Sequence, residues 1–126
     1  MADHSPDGYD MTRQSRCFYA FLAADGARVK VGMVGRPERL GPRLAEVTRK
    51  RGEPGLTMVA SATIHDLNEH EAEDTEAALR LWLTSTSGLT HSGLVDWLLV
   101  ASGLDLDWQQ LLERGLAAIK SWRIAR

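Results

Sequence analysis

An Asp-Gly pair between two apolar runs is the feature that most constrains the fold of this chain. Residues 17–23 are apolar and partly aromatic, and residues 28–33 alternate basic with apolar side chains. The pair Asp25-Gly26 lies between them and readily adopts the positive φ angles of a tight hairpin turn. The alternation gives the second run one buried face and one solvated face. The sequence therefore predicts an antiparallel hairpin of strands near 17–23 and 28–33.

The remaining segments predict an α+β fold. Pro42 suits the first position of a helix, and Asn68 with Glu71 has the capping-box spacing that begins a second helix. Apolar and β-branched residues predict a strand near 56–64, whereas the short apolar run near 95–100 fits a strand better than a helix without excluding the helix. We expect a small, central, mostly antiparallel sheet with strands near 17–23, 28–33, 56–64 and 95–100, flanked by helices near 42–51, 68–84 and 105–122.

Length and cysteine content predict one domain in a reducing compartment. The chain has 126 residues, which suits one buried core and leaves little room for a second. The polar amino terminus is expected to be a disordered leader over residues 1–15, followed by a single domain over residues 16–126. Cys17 is the only cysteine, so no internal disulfide can form, and no apolar run is long enough to cross a membrane. We therefore expect a cytoplasmic protein without a membrane partner.

Charge is unevenly distributed along the chain. The formal net charge is −2, which argues against a protein that coats nucleic acid indiscriminately, because such proteins are strongly basic. Basic residues are nevertheless concentrated between residues 28 and 51, whereas residues 66–76 are acidic. The basic stretch is either an ordinary solvated surface or a surface that holds a phosphate backbone. The candidate nucleic-acid-binding residues in it are Arg28, Arg36, Arg49, Lys50 and Arg51.

Two residues within apolar segments are candidates for chemistry. Glu76 falls on nearly the same side of its predicted helix as Ala72 and Leu79, at the edge of an apolar stripe. A buried carboxylate there needs a cation, a hydrogen-bond donor or a metal. An ion pair with a nearby arginine, or a solvated edge position, fits the same pattern. Tyr19 lies in the first strand, where a tyrosine commonly packs in the core with its hydroxyl at the rim. Neither residue identifies a function by itself.

Other catalytic patterns are absent from the sequence. The histidines form no His-x-x-x-His pair, and no Cys/His spacing matches a zinc site. The glycines Gly32, Gly35 and Gly41 do not form a dinucleotide-binding or phosphate-binding loop. The sequence therefore does not support nucleotide hydrolysis or zinc chemistry.

Several short motifs occur in a definite order between about residues 17 and 121. They are Cys17-Phe18-Tyr19, Lys30-Val31-Gly32, an Arg-Leu pair at Arg39 or Arg43, Glu76 followed by Leu79 and Leu83, and Asp96-Trp97-Leu98. This order resembles that of the GIY-YIG nuclease superfamily, in particular its small phage and bacterial branch, in which the second triplet often reads Lys-Ile-Gly. The resemblance rests on order and coverage, because each motif is short and degenerate.

The resemblance implies a DNA endonuclease that hydrolyses phosphodiester bonds with the help of a divalent metal. Glu76 would hold one Mg²⁺ or Mn²⁺ ion, Tyr19 would accept a proton from the attacking water, and Arg43 or Arg39 would neutralise the phosphoryl oxygens. Arg43 is favoured because it opens the better-defined helix, although Arg39 lies closer to the family's usual spacing from the glycine. Lys30 takes the place of the family's second tyrosine. We expect Lys30 and the arginines to lower the pKa of Tyr19, and we expect these side chains to converge on one face.

One departure from the family leaves two alternatives open. Arg80 stands where the family usually has a histidine, and its charge competes with a metal for Glu76. A non-catalytic nucleic-acid-binding module with the same fold is therefore the main alternative, and a protein-interaction subunit with an acidic helix is another. A stand-alone core of this size covers few base pairs, so a homodimer or a separate specificity partner is also expected.

Overall fold

The fold is built on a five-stranded sheet in which every pair of neighbouring strands is antiparallel. The structure, a computed structural model, describes residues 12–94 and 96–125, with side chains as far as Lys120. The strands are β1 Gln14–Leu22, β2 Arg28–Val34, β3 Thr57–Leu67, β4 Thr90–His91 and β5 Trp97–Leu99, and they lie in the order β3-β1-β2-β5-β4. The helices are α1 Leu40–Arg51, α2 Glu69–Thr86 and α3 Trp108–Ala125, and a 3-10 turn, Pro37–Arg39, precedes α1.

The predicted α+β class is confirmed, with small differences at the ends of the elements. A short strand, β4, was not predicted, and α3 begins at Trp108 because the Asp107 carboxylate accepts the Gln110 backbone N–H, 3.1 Å away. β1 begins at Gln14, so the strand includes the last two residues of the predicted leader. Residues 12 and 13 of that predicted leader precede β1, and residues 1–11 lie outside the described residues.

The predicted hairpin of β1 and β2 forms the centre of the sheet. Gly26 in the turn has a φ of 71°, a value that glycine adopts without steric cost. The register places Tyr19 opposite Gly32, with Phe18 opposite Met33 and Ala20 opposite Val31. This register places the Tyr19 ring over Gly32.

The two faces of the sheet are covered by different helices. Phe18 and Val31 pack on one face against α2 and α3, in the larger apolar cluster. Tyr19, Phe21 and Trp97 pack on the other face against α1, in a smaller cluster. Both faces of β2 are therefore buried. The expectation that β2 has a solvated face is wrong at Lys30, which is only 5% exposed.

The start of α2 is fixed by hydrogen bonds to the amino-terminal end of the sheet. Asn68 and Glu71 form the predicted capping box, in which each side chain accepts the other's backbone N–H. Arg13 donates to the carboxylates of Asp66 and Glu71, at 2.8 and 2.7 Å. Asp66 has a φ of 65°, so these bonds also hold an unfavourable backbone angle. The phase of α2, and hence the direction of Glu76, depends on this anchor.

The outer edge of β3 is occupied at one point by a side chain from α3. The Gln109 amide donates from Nε2 to the carbonyl oxygen of Ser61 at 2.8 Å, and its Oε1 accepts the Ser61 N–H at 3.0 Å. These are the two bonds that a residue of a neighbouring strand would make. Among the described residues, no helix is long and apolar enough to cross a membrane.

Candidate functional site

The phenol of Tyr19 lies directly over Gly32, its partner in the β1–β2 register. Tyr19 is 0% exposed, and its ring stacks on Phe21 at a centroid distance of 4.0 Å. A Cβ atom on residue 32 would lie 2.6 Å from Cζ of Tyr19 and closer still to the hydroxyl oxygen. No side chain other than hydrogen fits there without moving the ring. Gly32 is thus required for the position of Tyr19.

Arg43 meets the Tyr19 hydroxyl from the other side. The Arg43 Nε–H donates to Oη of Tyr19 at 3.3 Å, and Nη1 donates to Glu46 Oε1 at 3.0 Å. Arg43 and Glu46 both belong to α1, which packs on the face of the sheet that carries Tyr19. Arg39 lies in the 3-10 turn before α1 and is exposed. Of the two arginines that the sequence allowed, Arg43 is the one in contact with Tyr19.

The electrostatic surroundings raise the pKa of Tyr19 above its ordinary value of 10.0. Burial is the largest cause, because it disfavours the charged phenolate. The hydrogen bond and charge of Arg43 act in the opposite direction, while the charges of Glu76 and Asp96 raise the pKa further. Arg43 thus acts in the expected direction, but the expected net decrease of this pKa is wrong, since burial of the ring outweighs the cation.

The same interactions show that carboxylates from two distant segments lie near the phenol. Glu76 comes from α2 and Asp96 from the residue before β5, and both act on Tyr19 by charge. Burial raises the pKa of Asp96, but the hydrogen bond and charge of Lys30, with smaller effects of Arg80 and Arg43, leave it below its ordinary value. Tyr19 and Arg43 are in contact, and Lys30 bonds to Asp96. Glu76 comes from α2, which packs on the opposite face of the sheet, and it acts on the phenol by charge. The expectation that all four side chains converge on one face stays a prediction for Glu76.

Lys30 is held away from solvent by an ion pair. Its Nζ lies 2.6 Å from Oδ2 of Asp96, and its side chain is 6% exposed. The ammonium also lies 5.9 Å from the centroid of the Trp97 ring, and the Arg28 guanidinium lies 5.4 Å from that centroid. Lys30 is thus positioned to fix Asp96 and Trp97.

Glu76 is also paired. Arg80 Nη1 donates to Glu76 Oε1 at 2.7 Å, and the two side chains are 12% and 22% exposed, respectively. Among the described residues, no further contact to the second oxygen of Glu76 is found. The carboxylate therefore has one committed oxygen and one that a ligand can take.

The strand β2 is only partly paired along the edge that faces β5. Within the described residues, β5 pairs with β2 only over Arg28–Lys30, with one further bond from the Val31 N–H to the Asp96 carbonyl at 2.9 Å. Beyond Val31, no strand among the described residues pairs with this edge of β2. Gly32, under the Tyr19 ring, is the first residue of this edge.

A groove of about 1000 Å³ begins beside Arg43. Its basic residues are Arg36, Arg39 and Arg43, and its acidic residues are Glu38 and Glu46. None of the described residues that line it is aromatic. It is therefore suited to anionic groups rather than to stacked rings.

The other candidate nucleic-acid-binding residues are placed in two further positions. Arg49, Lys50 and Arg51 form the exposed last turn of α1. Arg28 forms an ion pair with Glu53 and packs over Trp97, so its charge is already compensated. Of these residues, Lys50 contacts a residue of the groove, because its Nζ donates to Glu46 at 3.0 Å.

Sequence reasoning did not assign the ion pairs of two carboxylates, Asp96 with Lys30 and Glu46 with Arg43. Asp96 was noted as the first residue of the Asp96-Trp97-Leu98 motif, and only the structure shows that it pairs with Lys30. Glu46 lies three residues after Arg43 and four before Lys50, a spacing at which helical side chains meet. That spacing was the available signal.

In the comparisons with known proteins, no family model matches the chain, and no curated protein or solved structure matches it significantly.

Within the described residues, no group of three or more histidine, cysteine, aspartate or glutamate side chains could hold a metal ion. A magnesium ion commonly takes one or two carboxylates together with waters and substrate phosphates. The open oxygen of Glu76 fits that smaller requirement.

Gly32→Ala tests the fit between the backbone and the Tyr19 ring. We expect the variant to lose about 1–3 kcal/mol of unfolding free energy, because the new methyl group overlaps a buried ring. Urea unfolding at neutral pH measures the loss. Gly35→Ala is the control, since a Cβ there meets nothing within 4 Å. Equal unfolding free energies for the two variants would contradict the requirement for glycine at position 32.

The raised pKa of Tyr19 predicts a loss of stability at high pH. In the unfolded chain the phenol ionises near pH 10, about its model value, whereas the folded protein keeps the proton to higher pH. Above that pH the folded state binds more protons, so the free energy of unfolding falls by at most about 1.4 kcal/mol per pH unit from this group. Below it, the contribution is fully present.

Urea unfolding of the wild type and of Tyr19→Phe between about pH 8 and 11 checks this sign. The wild type is expected to lose stability more steeply than the variant over the upper part of that range. The same slope in both proteins would show that Tyr19 titrates alike in the folded and unfolded states.

Proposed function

We propose that this protein is a divalent-metal-dependent DNA endonuclease of the GIY-YIG kind. The observation that carries the proposal is the hydrogen bond from Arg43 to the phenol of Tyr19, together with the charge of Glu76 acting on the same phenol. These residues come from β1, α1 and α2. They are the residues to which the resemblance assigns chemistry, and nothing in their sequence positions requires them to meet.

The chemistry of Tyr19 follows from its pKa. A phenol whose pKa lies above 10.0 is neutral at physiological pH and is a weak general base. Its oxygen already accepts a hydrogen bond from Arg43, so its own proton remains to be donated. As a neutral phenol, Tyr19 would donate a hydrogen bond to the attacking water or to a phosphoryl oxygen. It could accept a proton from that water only after substrate binding had lowered its pKa and its own proton had left.

Arg43 supplies the positive charge next to the scissile phosphate. Its guanidinium lies between the Tyr19 hydroxyl and the groove, and its side chain is 34% exposed. Because Tyr19 is fully buried, Arg43 is the member of this pair that a phosphate in the groove would meet. From that position the guanidinium would neutralise the phosphoryl oxygens as charge develops on them.

Glu76 would hold Mg²⁺ or Mn²⁺ through its open oxygen, with waters and a substrate phosphate completing the shell. The ion supplies stabilisation of the negative charge on the leaving oxygen. Arg80 remains on the other oxygen of Glu76 and keeps the carboxylate oriented.

A second function is favoured by the partly buried pair of Arg80 and Glu76. At 12% and 22% exposure, these side chains are screened less than a surface pair. If the pair excludes a metal, the protein is a non-catalytic DNA-binding module that uses the same groove. The charge of Arg80 also lowers the pKa of Asp96. The attraction between these two charges further stabilises the guanidinium in its place.

Glu76→Gln tests catalysis. We expect cleavage of plasmid DNA in Mg²⁺ or Mn²⁺ to fall below about one-hundredth of the wild-type rate, because a metal ligand is lost. Retention of DNA on a filter should be unchanged or stronger, since one negative charge near the phosphate is removed. Glu73→Gln, an exposed position on the same helix, is the matched control and should cleave like wild type. Equal cleavage by Glu76→Gln and Glu73→Gln would refute the catalytic role of Glu76.

Arg80→Met separates the two functions. The substitution removes the cation that competes for Glu76 and keeps a long apolar side chain. We expect calorimetry to detect Mn²⁺ binding to the wild type and roughly tenfold tighter binding to the variant, since one competing ion pair is removed. Binding that occurs in Arg80→Met but not in the wild type, together with DNA retention without cleavage, would favour the binding module.

A further inference from the structure

Glu46 has a place in the site that neither the motifs nor the proposed roles account for. Its Oε1 atom accepts hydrogen bonds from Arg43 Nη1 and from Lys50 Nζ, each at 3.0 Å. It lines the same groove as Arg36, Arg39 and Arg43. A carboxylate in a groove that would receive an anion opposes that anion by charge. Its presence there therefore needs a reason other than attraction of substrate.

The contacts of Arg43 supply that reason. Its Nε–H donates to Tyr19 and its Nη1 donates to Glu46, and within the described residues Nη2 has no partner. Two bonds to separate groups fix the plane of a guanidinium, because its donors have a rigid geometry. Without Glu46, only one bond of 3.3 Å would orient this partly exposed side chain.

Lys50 holds Glu46 in turn. The two residues are one helical turn apart, with the acid nearer the amino terminus, which is the favourable order for such a pair. The hydrogen bond from Lys50 is the largest of the causes that lower the pKa of Glu46, followed by the charges of Lys50 and Arg43. Glu46 is thus a carboxylate at neutral pH.

We propose that Glu46 is a positioning residue, which holds the Arg43 guanidinium with Nε on Tyr19 and leaves Nη2 for a phosphoryl oxygen. The identity of the anion as a phosphate rests on the proposed function. The orientation of Arg43 by Glu46 is independent of that function. Glu46 itself touches no substrate and acts only through Arg43.

The hydrogen bond of the Arg43 Nε–H can be measured without any substrate. Its exchange with water, followed by ¹⁵N NMR of the full-length protein and assigned with Arg43→Lys, reports how firmly Nε stays on Tyr19. We expect Glu46→Ala to speed this exchange about two- to fivefold, the factor that corresponds to a modest surface interaction. Glu46→Gln keeps an acceptor oxygen and should stay closer to wild type. Glu38→Gln removes a charge from the same groove, and Glu38 makes no contact with Arg43 among the described residues, so exchange should not change.

Cleavage kinetics provide the second measurement. Glu46→Ala should lower kcat while KM for DNA falls or stays constant, because orientation is lost and one repulsive charge is removed. Glu46→Gln should recover most of kcat. A rise in kcat for both Glu46 variants would overturn the proposal and show that Glu46 only competes with substrate for Arg43.

The two measurements separate the two ways of being wrong. Unchanged Arg43 exchange in Glu46→Ala overturns the positioning role whether or not the protein cleaves DNA. Equal acceleration in Glu46→Gln and Glu46→Ala also overturns it, since charge rather than a placed acceptor would then be responsible. Faster exchange in Glu46→Ala alone, in a wild-type protein that does not cleave, supports the positioning of Arg43 and refutes the nuclease.

Discussion

The contact between the Tyr19 ring and the backbone of Gly32 is the constraint on which the site depends. The ring occupies the space of a missing side chain on the neighbouring strand, so its hydroxyl is placed by the β1–β2 register rather than by its own rotamer alone. A shift of that register by one residue would send Tyr19 to the opposite face of the sheet. The tight turn at Asp25-Gly26 is thus as important to the site as the residues that form it.

Among the described residues, three carboxylates around Tyr19 and Arg43 form ion pairs with cations. Asp96 pairs with Lys30, Glu76 with Arg80, and Glu46 with Arg43 and Lys50. Such pairing limits the cost of bringing several charges close to a buried ring. Among the described residues, this pairing leaves the second carboxylate oxygen of Glu76 and Nη2 of Arg43 without a partner.

Local sequence signals predicted most of the fold. Asp25-Gly26 gave the hairpin and Asn68 with Glu71 gave the start of α2, because turns and caps depend on residues close in sequence. β4 was missed, since two residues are too few to carry a periodic pattern.

Properties that depend on distant residues were harder to predict. Lys30 is buried because Trp97 and Asp96 cover it, and an alternating pattern within β2 contains no information about them. The upward shift in the pKa of Tyr19 was missed for the same reason, since burial by other segments outweighs the charges that the sequence displays. The sequence already favoured Arg43 over Arg39, but its contact with Tyr19 depends on the packing of α1 on the sheet.

Gln109 has a consequence for how copies of this protein meet. β3 lies at the end of the sheet, and a long unpaired edge invites the addition of a strand from another molecule. By donating to and accepting from Ser61, the Gln109 amide takes the bonds that an incoming strand would need at the middle of β3. A second copy that extended this sheet at β3 would first have to displace the Gln109 side chain from Ser61.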